Sequence, residues 1–191
     1  MITLNSNALC NRSEVKDFLQ ITGAGSDIDD FINQTINRIS TSFESFCHRQ
    51  FMTASYTEYF DGGGSWLFPD HSPITAITSI HEDEDWEWAS DTEIDSEYYR
   101  AADSNSIYYD GIFTKGPQSI KVVYTAGYTA SNLPEDLKQA SIIEVARIVK
   151  HRQDFDVLSA NRDDGTVQFT NFDYLPQTLK TLYRYRKVYV A

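Results

Sequence analysis

The feature that most restricts the fold is a double change of texture along the chain. Up to Arg49, apolar residues recur at steps of three and four, the spacing of one helical face. From Gln50 to Tyr124 the residues are aromatic or β-branched and broken by turn formers. The stretch VYTAGYTASNLPEDLKQASIIEVARIVKHR, residues 123–152, then runs from an apolar strand through a glycine turn and Leu133-Pro134 into a long helix. A chain that reads helix, sheet, helix points to an α+β fold, with N- and C-terminal helices packed as one bundle and an antiparallel β lobe inserted.

The segments follow from local signals. Ser13–Gln20 reads as a short helix with Ser13 as N-cap and Val15, Phe18 and Leu19 on one face. Ser26-Asp27 opens a second helix whose apolar positions run from Ile28 through Ile32, Ile36 and Phe43 to Cys47. Asp30, Asn33, Asn37 and Glu44 fall on its opposite face. In the β region, SYTEYF reads as a strand. Asp61-Gly62-Gly63-Gly64 reads as a tight connection that lets Ser65–Phe68 pair back as a hairpin. Ile74–Ile80 and Ser119–Tyr124 are further strands, and Trp86–Trp88, Tyr98–Arg100 and Ser106–Tyr109 are shorter ones. Pro134 suits a first helical turn, followed by acids at the positive end and Lys150, His151 and Arg152 at the negative end. Residues 153–173 read as an exposed or mobile loop, and Leu175-Pro176 starts a last helix. The expected domains are 1–49 with 126–191, as bundle and C-terminal docking segment, and 50–125 as the β lobe.

Charge and composition narrow the function. The 191 residues carry a formal charge of −12, where a duplex-binding module needs a basic balance to neutralise phosphates. Cys10 and Cys47 read as free thiols in a reducing compartment. The start MITLNSNALCNRSEV lacks a basic n-region and a long apolar run, so no signal peptide is expected. No apolar stretch reaches the ~18 residues of a membrane span, so a soluble protein made in the cytoplasm, without membrane partners, is expected.

Motifs for chemistry are sparse. DGGGS at 61–65 lacks the Gly-Lys-Ser/Thr of a phosphate loop and sits between strands. His48, His71, His81 and His151 have no metal spacing, and no serine has a nucleophile motif, so no catalytic residue, metal or cofactor is assigned. HEDEDWEWASDTEIDSE, 81–97, holds nine carboxylates and no Lys or Arg. It reads as a solvated face, with Glu82, Asp83, Glu84, Asp85 and Glu87 as candidates for an electrostatic role. From Pro176 onward Lys180, Arg184, Arg186 and Lys187 interleave with Tyr183, Tyr185 and Tyr189 and no acid, a composition suited to a protein interface.

VKDFLQI, then SDIDDFINQTINRISTSFESFCHRQF, YTEYFDGGG, HSPITAITSI, VVYTAGYTASNLPEDLKQASIIEVAR and LPQTLKTLYRYRK, in that order, resemble the head–tail connector (head-completion adaptor) proteins of tailed phages. The similarity runs over nearly the whole chain. It implies a non-enzymatic virion protein of the neck, at the head–tail junction. Such a protein forms a ring of around a dozen copies beneath the portal protein. It extends the channel through which DNA passes without sequence-specific binding, and it offers a platform to the next neck or tail-completion protein. Carried onto this sequence, Gly127 and Pro134 become a structural corner between lobe and bundle. Leu179, Leu182, Tyr183, Arg184, Tyr185, Arg186 and Lys187 become candidate portal contacts, and the acids from Glu82 to Glu87 a channel or inter-subunit face. Two alternatives stand beside this. One is a β-lobe module that binds carbohydrate through Trp66, Trp86 and Trp88. The other is a hydrolase that uses carboxylates of 81–97.

Overall fold

The computed structural model describes residues 1–22, 25–151 and 174–187, with the backbone of two further strands at 159–162 and 165–168. The chain divides into two compact units, Met1–Arg49 with Leu133–Ala191, and Gln50–Asn132. The second boundary lies beyond Ala126 because Gly127 and Tyr128 are hydrogen-bonded to Pro73, Phe51 and Thr53 of the β unit.

The helical unit begins with α1 (Arg12–Leu19), α2 (Ser26–Cys47) and α3 (Glu135–Lys150), and ends with α4 (Pro176–Tyr185). The N-cap of α1 is Asn11, not Ser13. Asn11 accepts from the Glu14 amide at 3.0 Å while Glu14 accepts from the Asn11 amide at 2.8 Å. This reciprocal box satisfies two orphan donors, more than Ser13 offers as a cap. Val15 is buried and Leu19 half-buried, but Phe18 is exposed. Along α2, Ile32, Ile36, Ile39, Phe43 and Cys47 are buried in the expected stripe. In α3 the buried set Leu137, Ala140, Ser141, Ile142, Glu144, Val145 and Ala146 covers more than one face. Cys10 and Cys47 are buried free thiols, each pushed up to about 11 chiefly by burial. Within 153–173, read from sequence as a loop, the backbone forms an antiparallel pair, β7 (Ser159–Arg162) with β8 (Gly165–Gln168).

The β unit has two three-stranded antiparallel sheets. In the first, β1 (Ala54–Phe60) and β3 (Ile74–Glu82) flank β6 (Ile120–Ala126). In the second, β2 (Trp66–Leu67) and β4 (Tyr99–Ala101) flank β5 (Ile107–Tyr109). On β6, Ile120, Val122, Tyr124 and Ala126 are buried and the residues between them are half-buried, the period-two pattern of a strand over a core. Leu67 and Ile107 of the second sheet join that same core with Ile80 and Phe113.

Two strand expectations are corrected. Ser65–Phe68 does not pair back on β1; β2 pairs with β5, and β1 pairs with β6. The glycines serve a close approach instead. Gly62 donates to Gly116 at 2.9 Å, Gly63 donates to Phe113 at 2.8 Å, and a Cβ on Gly62 would lie 1.8 Å from the Thr114 carbonyl oxygen. Trp86–Trp88 is not a strand either, since both tryptophans hold positive φ, 60° and 56°.

Candidate assembly surfaces

The entry and exit of the β unit are clasped together. Tyr128 donates to Phe51 at 2.7 Å and Thr53 donates to Tyr128 at 2.9 Å, a parallel bridge around Met52. Gly127 sits inside this clasp at φ +110° and donates to Pro73 at 2.9 Å. A Cβ there would lie 2.7 Å from the Met52 carbonyl oxygen. Glycine is therefore required twice, by the backbone angle and by the space. Asn132 then closes a turn by accepting from the Thr129 amide at 2.5 Å. Pro134 is the N-cap of α3 rather than a residue of its first turn, and its carbonyl accepts from Leu137 and Lys138 at 3.1 Å.

The helix α4 is built into its unit. Glu144, fully buried in α3, uses one carboxylate oxygen on the Leu175 amide at 2.7 Å and the other on Arg147 Nε at 2.9 Å. A carboxylate placed at the N-cap of α4 meets the positive end of that helix. Tyr174 hydrogen-bonds Ser42 and meets the Phe43 ring edge-on at 5.4 Å. Leu182 is fully buried, so in the folded unit it is core and not a surface contact. Tyr185 donates to Asp136 at 2.6 Å, and Arg184 lies 3.3 Å from the same carboxylate. The Lys187 amide donates to Cys47 at 2.9 Å, and the Arg186 guanidinium sits 5.3 Å from the Phe46 ring. Leu179 is half-buried, while Tyr183, Arg184 and Arg186 are exposed. Tyr189 lies outside the described residues.

The acidic candidates divide into two kinds. Glu82 accepts from the Thr114 amide, and Asp83 accepts from the amides of Asp85 and Trp88 at 2.8 Å each. Those backbone donors hold the Asp83 carboxyl below the usual carboxylate range. Glu84, Asp85 and Glu87 are exposed. The three tryptophans are not brought together: Trp88 packs on Tyr59 at 5.4 Å and Trp66 on Tyr108 at 5.0 Å, and among the described residues no ring contact joins two of them.

Sequence reasoning missed two features. The polar side of α2 is a seat for backbone. Asp30 accepts from the Ile2 amide at 2.7 Å, Asn33 donates to the Ile2 carbonyl at 2.6 Å, and Asn37 bonds Asn5 and Thr3 at 2.9 Å each. Ser40 accepts from Leu9 at 3.1 Å. The steps of three and four among these α2 residues were the only signal available. The second is a polar knot in the β unit: Tyr124 donates to Glu58, which also lies 2.9 Å from His71 Nδ1. Burial and the Glu58 carboxylate both raise the Tyr124 hydroxyl. Among the described residues no group of three or more His, Cys, Asp or Glu is placed to hold a metal ion.

The charge is divided as unevenly as the fold. The β unit holds 14 of the 28 acids but only three of the 16 bases, Arg100, Lys115 and Lys121, and so carries −11 of the −12. In the β unit His71 pairs with Glu58, while Lys16, Lys138, Arg147 and Arg184 make ion pairs within the helical unit.

A sequence model of the family described as "Head completion protein" matches residues 8–188. The chain belongs to that family. By that membership it is a structural head–tail adaptor. The fold is similar along the chain to chains in solved neck and virion structures of a gene transfer agent (GTA). A chain in "Neck of empty GTA particle computed with C6 symmetry" superposes with TM-score 0.61 at 15% identity, covering 100% of this chain and 95% of that one. "Virion of native gene transfer agent (GTA) particle" gives 0.61 at 17% identity, and "Neck of native GTA particle computed with C12 symmetry" gives 0.58 at 17%, with the same coverage. A search of curated protein sequences finds no match.

Proposed function

We propose that copies of this head completion protein close a ring of around a dozen beneath the portal protein and extend its DNA channel. The observation that carries this is the family match over residues 8–188, and the fold similarity to chains of GTA necks computed with C6 and C12 symmetry supports it. The charge division supports it. A conduit whose walls carry net negative charge does not grip phosphate, so the exposed acids Glu84, Asp85 and Glu87 suit a channel or inter-subunit face. The exposed end of α4, Tyr183 and Arg184, with Arg186 and Lys187 just beyond it, suits docking to the portal. Gly127, inside the clasp of the β unit, and Pro134, at the cap of α3, are the proposed structural corner of the chain. The opposite end of the ring then receives the next neck or tail-completion protein.

The test is electron microscopy of the full chain mixed with its portal protein, for wild type and for Tyr183→Ala/Arg184→Glu. Wild type should cap the portal with a ring. The double variant should bind about tenfold or more weakly while keeping its helix content. Removing everything after Asp173 is a poor substitute, because it deletes buried Leu182 and the Leu175 amide that Glu144 holds. Undiminished binding by the double variant would withdraw α4 as the docking element, and absence of any ring on the portal would withdraw the function.

A further inference from the structure

The face of the second sheet turned away from the core carries exposed Trp66, half-buried Tyr108 and exposed Arg100 in a unit that is otherwise strongly acidic. Register places Trp66 opposite Tyr108 and Tyr108 opposite Arg100. Their side chains form a row: the Trp66 and Tyr108 rings are 5.0 Å apart, and the Arg100 guanidinium lies 5.1 Å from the Tyr108 centroid. Leu67 and Ile107, the strand neighbours of alternate parity, are buried in the core. Next to the row, Phe68 is 68% exposed and Ile112 is 75% exposed. Ile112 reaches this edge because Ser65 donates to the Gly111 carbonyl and Phe113 donates to Gly64. Among the described residues no carboxylate forms an ion pair with Arg100.

A complementary element stands on the same chain. Asp83 gathers the amides of Asp85 and Trp88, and the loop between them holds Trp86 and Trp88 at positive φ. Bulky residues take that conformation only where surrounding structure enforces it. The result is a firm turn that sends Trp88 back onto Tyr59 and leaves Trp86 57% exposed between the exposed acids Glu84, Asp85 and Glu87. This loop is aromatic at its tip and negative around it; the sheet face is aromatic and carries Arg100.

We propose that loop 84–88 of one copy docks on the Trp66–Tyr108–Arg100 face of the next copy. The occupant is a second copy because both halves of the match are present and both stay exposed in the single chain. Opposite charges meet at a place where neighbouring β units, each at −11, would otherwise repel. Aromatic and arginine side chains are also the groups that dominate interface energetics. Loop and face are different surfaces, so the contact is heterologous, and a heterologous contact of suitable rotation closes into a ring. The proposal rests on the ring reading above and assigns its subunit contact.

The test uses the full chain in assembled particles. Trp86→Cys and Ile112→Cys are combined in one chain and mildly oxidised, and the particles are run on a non-reducing gel; Cys10 and Cys47 are both buried and free. The expected result is a ladder extending past the dimer for the combined variant only. Independently, Arg100→Glu should lower the protein recovered in necks by about tenfold or more, and adding Glu87→Arg to the same chain should restore it. A combined-cysteine protein present in necks at wild-type level that forms no ladder, or that cross-links to a different neck protein, overturns the proposal and leaves the ring intact. Failure of Glu87→Arg to restore Arg100→Glu overturns it as well. Wild-type chain absent from purified necks overturns the ring and this contact together.

Discussion

The helical unit and the β unit solve the problem of polar groups in opposite ways. In the helical unit charges are nearly balanced and are paired inward. Glu144 is buried on two donors, Lys138 reaches Glu14, Arg184 reaches Asp136, and the Asn33 and Asn37 amides and the Ser40 hydroxyl of α2 hold the backbone at Ile2, Thr3, Asn5 and Leu9. In the β unit the acids far outnumber the bases, and among the described residues six of the ten exposed large hydrophobics, including Trp66, Phe68, Trp86 and Ile112, sit there. One unit engages many of its charges internally and presents the exposed end of α4. The other keeps charge and aromatic surface unsatisfied, which is what a subunit of a symmetric assembly presents to its neighbours.

All three tryptophans, Trp66, Trp86 and Trp88, lie in the β unit, whereas α1 to α4 lie in the helical unit. Tryptophan fluorescence and far-ultraviolet circular dichroism therefore report the two units separately. The largest expected effect is Glu144→Ala, which strips a buried carboxylate from the Leu175 amide and Arg147 and should cost about 3–5 kcal/mol. It should lower the melting temperature seen by dichroism well before that seen by tryptophan. Equal shifts in both signals would erase the division between units. Gly127→Val comes next, at about 3 kcal/mol, from the positive φ and the Met52 backbone in the way of a Cβ. Here the tryptophan transition should move first and helix content should stay; loss of helix content in step with fluorescence would show that the clasp serves both units. The smallest effect is ionic. Raising salt from about 10 to 150 mM should stabilise the −11 unit by on the order of 1 kcal/mol, read from tryptophan, and leave the dichroism transition nearly unmoved.

The candidate surfaces were only partly legible. The basic character of α4 was plain in Lys180, Arg184, Arg186 and Lys187, but not that Leu182 belongs to the core. Nor was it visible that Tyr185 and Arg184 converge on Asp136. The acids of 81–97 were visible as a group, yet Glu82 and Asp83 are bonded to backbone amides while Glu84, Asp85 and Glu87 are exposed. Alternation at Trp86-Glu87-Trp88 looked like a strand because period two says nothing about φ. An acid-capped turn with two left-handed residues has the same spelling.

By itself the sequence determined the α+β class, the stripe on α2, the alternation along β6 and the segregation of negative charge, because periodicity and composition are local properties of the chain. Tertiary structure alone decided that β2 leaves β1 for β5. It alone decided that the three glycines meet the segment around Thr114, and that the polar side of α2 is covered by residues 2–9. Those outcomes depend on which distant backbone arrives opposite a given side chain. A strand edge or a row of amides accepts any main chain of suitable shape, so the choice is made by how the whole core packs and leaves no mark in the local spelling.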